Sequence, residues 1–122
     1  MNKLFCLAAA AALVLTAASH AQAQEPTLND RATTLTQQMA QKVPLNEAQF
    51  VKVRRLNLNL LAATQELKGR FANDSATLDQ RLAELQDNYE WDMAAILWPR
   101  QLAAYQRTRA NMTALGSSTE QR

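Results

Sequence analysis

Beyond His20 the chain has no cysteine and no histidine, because its single cysteine is Cys6 and its single histidine is His20 itself. That removes disulfides, thiol nucleophiles, imidazole acid–base catalysis and the preferred zinc ligands from the bulk of the chain. Turn residues are scarce as well. Gly69 and Gly116 are the only glycines, and Pro26, Pro44 and Pro99 the only prolines, in 122 residues, so the elements are few and long. Nowhere do β-branched or aromatic residues alternate with polar ones over more than a few positions, which is the pattern a half-buried strand requires. What is abundant is Ala, Leu, Gln, Arg and Glu, all good helix formers. The sequence predicts an all-α protein.

The first residues carry a different message. Met1-Asn2-Lys3 supplies one positive charge before an apolar run from Leu4 to Ala18. That run has fifteen residues, short of the roughly twenty that span a bilayer. It ends in Ser19-His20-Ala21-Gln22-Ala23, where Ala21-Gln22-Ala23 has the small-x-small pattern of a signal-peptidase site and Ser19-His20-Ala21 offers a second. The expectation is a signal peptide over residues 1–23 and an exported chain, periplasmic or secreted, that begins at Gln24. An uncleaved N-terminal anchor is the competing reading. Cys6 precedes most of the apolar run instead of closing it, unlike the lipidated cysteine of a lipoprotein signal.

An exported helical chain of this size without disulfides is held together by packing alone, and a domain this small is only marginally able to do that as a monomer. Dimerisation supplies the missing burial. Without Lys3 the charges come to 12 basic against 11 acidic residues, a balance that points to neither nucleic acid nor an anionic membrane as partner. Their distribution is uneven. Lys52, Arg54, Arg55, Lys68 and Arg70 face only Glu47 and Glu66 in one segment, and Asp74, Asp79, Glu84, Asp87, Glu90 and Asp92 face only Arg81 in the next. Adjacent segments of opposite sign favour antiparallel pairing, although each surface pair is worth only about 0–1 kcal/mol.

Apolar spacing divides the chain into four helices. The first, about Thr27 to Lys42, carries Leu28, Ala32, Leu35, Met39 and Val43, and Pro44 ends it because the residue before a proline is disfavoured in the helical region. The second, Glu47 to about Ala72, carries Phe50, Val53, Leu56, Leu60, Ala63 and Leu67. Asn73-Asp74-Ser75 supplies a turn and a cap, after which Leu78, Leu82, Leu85, Tyr89, Met93 and Ile96 form the third stripe. A fourth helix starts at Pro99, carries Leu102, Tyr105 and Met112, and is expected to stop at Gly116, with a disordered tail over residues 117–122. The second and third helices are expected to form one long antiparallel hairpin flanked by the two shorter ones.

A pentad recurs at the corners of this arrangement: Leu45-Asn46-Glu47-Ala48-Gln49 and Leu97-Trp98-Pro99-Arg100-Gln101, 52 residues apart. In the first, Asn46 is a good N-cap and Gln49 falls at the third helical position, so the two side chains satisfy each other's backbone N–H groups in a capping box. Leu45 before the cap and Phe50 at the fourth position have the spacing of a hydrophobic staple, as do Leu97 and Leu102 in the second copy. Trp98 is a poor cap, so the second copy relies on Pro99, whose fixed φ suits the first helical position. An antiparallel hairpin brings both pentads to the same end.

Two such pentads, one before and one after a long hairpin in a small exported helical chain, resemble the Leu-Thr-x-x-Gln motifs of the Spy/CpxP family of periplasmic stress proteins. Leu45, Gln49, Leu97 and Gln101 match that motif; Asn46 replaces its threonine with another capping residue, and Trp98 replaces the second threonine without a capping oxygen. The resemblance covers about Leu28 to Leu115, most of a domain over residues 24–116. It implies a cradle-shaped homodimer that binds unfolded or partly folded proteins without ATP or cofactor and suppresses their aggregation in envelope stress. It also implies an alternative, an adaptor that restrains a membrane sensor kinase, or a metal-responsive stress protein. Metal response fits poorly with a processed chain that lacks imidazole and thiolate, and Glu84, Asp87 and Glu90 suit a solvated helix face better than a cation site.

The residues offer a surface of their own. On the second helix Val51, Arg55, Leu58 and Ala62 form a stripe nearly opposite the core stripe, flanked by Lys52 and Arg54. A two-helix hairpin cannot bury both. Three roles suit the strip: a client surface, a dimer interface, or a seat for the first or fourth helix. Trp91 and Trp98, seven residues apart and expected on the back of the third helix, pose the same choice. Catalysis would need carboxylates or lysines in a shaped pocket, and a narrow hairpin offers little depth for one; the expectation is a protein that binds and does not catalyse.

Overall fold

A computed structural model describes residues 24–119, with side chains through Ala110. The expected signal peptide lies outside the described residues, as do Met112 at the level of its side chain and the last three positions. Four helices follow in order: α1 Leu28–Lys42, α2 Glu47–Arg70, α3 Ser75–Ile96 and α4 Pro99–Thr119. No strand occurs among the described residues, and no helix among them is long and apolar enough to cross a membrane.

Capping chemistry sets the helix starts. Thr27 caps α1 in a full box with Asp30, and Asn46 caps α2 in a full box with Gln49. Asp74 caps α3 by accepting from the Thr77 backbone N–H at 3.1 Å. Hydrogen bonds from Thr27 and from Thr77 hold the Asp30 and Asp74 carboxyls below the usual carboxylate range. α2 ends at Arg70, slightly before the expected Ala72, where the Phe71 N–H closes on the Leu67 carbonyl.

α4 corrects one expectation. It continues through Gly116 to Thr119, so the tail expected from Ser117 is helical as far as Thr119. A glycine costs a helix interior about 1 kcal/mol relative to alanine but does not break it. It acts as a stop through a left-handed conformation, and no glycine among the described residues has positive φ.

The core is concentrated at one end. Val43, Val53, Tyr89, Met93, Leu97 and Tyr105 are buried, with Met39, Leu45, Leu56, Leu60, Ile96 and Leu102 packed against them. No residue from 58 to 88 is buried. α2 packs on both α1 and α3, and α1 touches α4. Across α2 and α3, Gln49 meets Ile96, Asn57 meets Tyr89, and Ala63 and Leu67 share a shallow hollow with Arg81 and Leu85.

A buried chain of polar groups runs through this core. The Thr36 hydroxyl donates to the Ala32 carbonyl at 2.7 Å and accepts from Asn57 Nδ2 at 2.9 Å, while Asn57 Oδ1 accepts from the Tyr89 hydroxyl at 2.7 Å. Three helices are thereby tied by three side chains. Thr36 displaces Leu35 from the expected stripe: the buried face of α1 runs through Ala32, Thr36 and Val43, and Leu35 is 40% exposed. The fourth helix joins through Tyr105, whose hydroxyl donates to Glu90 at 3.0 Å, and Arg109, 3.1 Å from the same carboxylate. Every buried side-chain nitrogen and oxygen among the described residues has a partner, as buried polar groups require.

Burial, reinforced by the Glu90 charge, pushes Tyr89 up to about 12, and burial raises Tyr105 as well. They are the chain's only tyrosines. A phenol whose folded pKa exceeds its unfolded value contributes stability below the unfolded value, here 10.0, and loses it as pH rises through the folded one. Titration of the native protein at the tyrosinate absorbance band should therefore show no phenol ionising near pH 10, with both doing so in denaturant. A tyrosine of ordinary pKa in the native protein would contradict the buried network.

Candidate functional site

Both pentads begin a helix just after a break, so each places a glutamine one turn inside a helix start. Gln49 Nε2 donates to Gln101 Oε1 at 2.7 Å, and Gln101 Nε2 donates to Gln49 Oε1 at 2.8 Å. The two carboxamides face each other and exchange both bonds. Each oxygen also accepts from the backbone N–H that starts its own helix, Asn46 for Gln49 at 3.1 Å and Trp98 for Gln101 at 2.8 Å. Each nitrogen also donates to the carbonyl just before the other pentad, Ile96 for Gln49 at 3.2 Å and Pro44 for Gln101 at 2.6 Å.

The result has approximate two-fold symmetry in its bonding and leaves no valence spare. A carboxamide offers two donors and two acceptor sites, and both glutamines use all four. Gln49 also satisfies a carbonyl at the C-terminal end of α3, one of the groups a helix end leaves without an internal partner. A carboxylate in either place would keep the capping role and lose both donors. This explains why the pentad ends in glutamine.

The two copies differ where the sequence differs. Asn46 Oδ1 accepts from the Gln49 N–H at 2.8 Å and completes its box. Trp98, which precedes Pro99 and accepts the first helical bond from Leu102, has no side-chain oxygen and completes only half. It lies beyond the end of α3, at the start of α4, and not on the back of the third helix as the spacing suggested. Leu97 is buried in the core, and Leu45 and Leu102 pack against it. Phe50 is half-buried and, with Leu45 and Val51, lines a hollow at the surface.

The candidate client or dimer surface is divided. Val51 is 59% exposed, and Lys52, Arg55 and Ala62 are exposed too. Arg54 serves as a seat for α1, one of the three roles that suit the strip: its Nε donates to the Thr33 hydroxyl at 2.8 Å and a terminal nitrogen reaches Asn29 at 3.4 Å. Leu58 is half-buried. Trp91 and Trp98 are 77% and 63% exposed, large apolar surfaces left in water.

Two of the acidic residues of α3, Glu84 and Glu90, are engaged by neighbouring side chains. Glu84 is bonded by Arg81 and Gln80, and Glu90 by Gln86, Tyr105 and Arg109. No three His, Cys, Asp or Glu side chains gather into a cation site among the described residues. Sequence reasoning missed Thr36 and Asn57, the polar pair that joins α1 to α2. The available signal was the spacing Gln49, Val53, Asn57, in which a buried apolar residue sits one turn from a polar residue on either side.

Replacing Gln49 by Glu should destabilise the fold by about 1–3 kcal/mol at neutral pH, because a carboxylate would face the Gln101 and Ile96 oxygens. Part of the loss should return on acidification, as a protonated carboxyl can donate one bond. In a double-mutant cycle of Gln49→Ala and Gln101→Ala, followed by urea unfolding, the two losses should couple by about 1 kcal/mol or more. Additive losses would show that the carboxamides do not act as a pair.

No protein-family model matches the chain, and comparison with curated proteins and with solved structures finds no match either.

Proposed function

We propose that this protein is an ATP-independent chaperone of the periplasm or another exported space, which shields apolar segments of unfolded proteins without catalysing a reaction. The observation that carries this reading is the unfinished burial of the α2 and α3 arms. Leu58, Leu60, Leu61, Leu67, Leu78, Leu82 and Leu85 all lie there, and each remains half-buried. Partly exposed leucines along two arms, with Lys68, Arg70, Asp79 and Asp87 exposed on the same helices, suit weak and adaptable contacts with many sequences. Apolar surface beyond scattered single residues reports an interaction site.

Two further proposals belong to this reading. The contacts of Gln49 with Ile96 and Asn57 with Tyr89 support α2 and α3 as the arms of one antiparallel hairpin. The half-buried leucines support a homodimer, in which each copy covers part of the other and leaves a cradle for clients. Attraction from the basic stretch of α2 would speed capture of acidic chains and fade as salt rises. The paired glutamines support the resemblance to the Spy/CpxP family, since they give both pentads one shared role.

A second reading is favoured by Trp91 and Trp98. Exposed tryptophans are enriched among residues that dominate specific interfaces, and they suit an adaptor that docks on one folded partner such as a membrane sensor.

Light scattering from several unrelated unfolding proteins, with the protein added and no ATP, separates the two. The chaperone reading expects suppression for several clients, and a clear loss of it in the Arg55→Glu, Leu58→Asp double variant with helicity intact. Suppression of none, together with binding to one folded partner, would replace the chaperone by the adaptor.

A further inference from the structure

Beside the clasped end, α1, α2, α3 and α4 together border a groove of about 650 Å³, within the usual range of about 300–1,000 Å³ for small-molecule sites. Its lining is mainly apolar, with Leu35 and Met39 from α1 and Leu60 from α2, and with Gln38, Gln41 and Thr108 adding polar groups; Val43, which also borders it, is fully buried. Asn57 and Tyr89 reach it too, yet their polar atoms are spent on each other and on Thr36. The lining at that depth therefore offers a guest contact and no spare donor. Charge is confined to Lys42 and Arg109, and no carboxylate lines the groove. Arg109 is paired with Glu90. Lys42, exposed in the last turn of α1, has no ion pair among the described residues.

We infer that this groove binds a single-chain anionic amphiphile of the fatty-acid class, with the hydrocarbon chain against Leu35, Met39 and Leu60 and the carboxylate at Lys42. An apolar interior with one cationic edge complements an apolar chain with one anionic end. Lys42 lines the groove and is exposed, so its ammonium is free to meet an anionic end there. Binding here does not depend on the chaperone reading, although Leu60 belongs both to the groove and to the arm surface proposed for clients.

Calorimetric titration of the purified protein with dodecanoate, kept below its micelle-forming concentration, tests it. The expected result is one dodecanoate per chain with a Kd on the order of 10–100 µM. Lys42→Glu should weaken that binding by roughly tenfold and Lys42→Arg should preserve it, both with unchanged helicity. Met39→Trp, which fills the groove, should abolish it. Dodecanol should bind more weakly than dodecanoate. Equal binding of dodecanol, or binding unaffected by Lys42→Glu, would overturn the assignment of the anionic end. Absence of binding would overturn the whole inference; if Met39→Trp also converts a dimer to a monomer in sedimentation, the groove belongs to a second copy of the chain.

Discussion

Two glutamine side chains that bond each other and nothing else of their own kind hold this molecule in register. Gln49 and Gln101 exchange both carboxamide hydrogen bonds, and each spends its remaining valences on its own helix start and on the carbonyl ahead of the other. Four backbone groups, at Pro44, Asn46, Ile96 and Trp98, are thereby satisfied by two side chains. The entries to α2 and α4 and the exit from α3 become one unit. A neutral hydrogen bond adds only about 1 kcal/mol net, but leaving any of these groups unpaired would cost more, so the pair specifies geometry more than it adds stability.

Packing follows from that unit. Leu97 is buried beside it, Val53 and Met93 fill the space one turn further in, and Thr36, Asn57 and Tyr89 cross-link α1, α2 and α3 through buried hydrogen bonds. Buried polar chains of this kind are costly when incomplete, and this one is complete. Past Asn57 and Tyr89 no third helix covers the arms to the point of burial, and their leucines stay half in water. The molecule is well determined at one end and unfinished at the other, and the unfinished end is the reason to look for binding there.

Much of this was legible in the sequence because capping is local chemistry. Asn46 with Gln49, Asp74 at the third helix and Pro99 at the fourth are recognisable within a few residues, and all of them mark observed helix starts. The Gln49–Gln101 bond was not legible: the pentads pointed to a common end, but a contact across 52 residues depends on how three helices pack. Nor was the burial of Thr36 in place of Leu35. Apolar periodicity counts methyl groups and cannot register a hydroxyl satisfied by Ala32 and Asn57. Arg54 flanked a strip for which a seat for the first helix was one of three open roles, and only the packed structure, which brings Thr33 and Asn29 to it, selects that role for this residue. Gly116 was given too much weight as a stop, because a glycine permits a left-handed turn without requiring one.

The central claim is the face-to-face carboxamide pair, and nuclear magnetic resonance of the side-chain amides in the folded protein addresses it directly. The account predicts slowed hydrogen exchange for the Nε2 protons of both Gln49 and Gln101, with cross-relaxation between the two amide groups. Free exchange at both glutamines, at rates like those of the exposed Gln37 and Gln106, would contradict it.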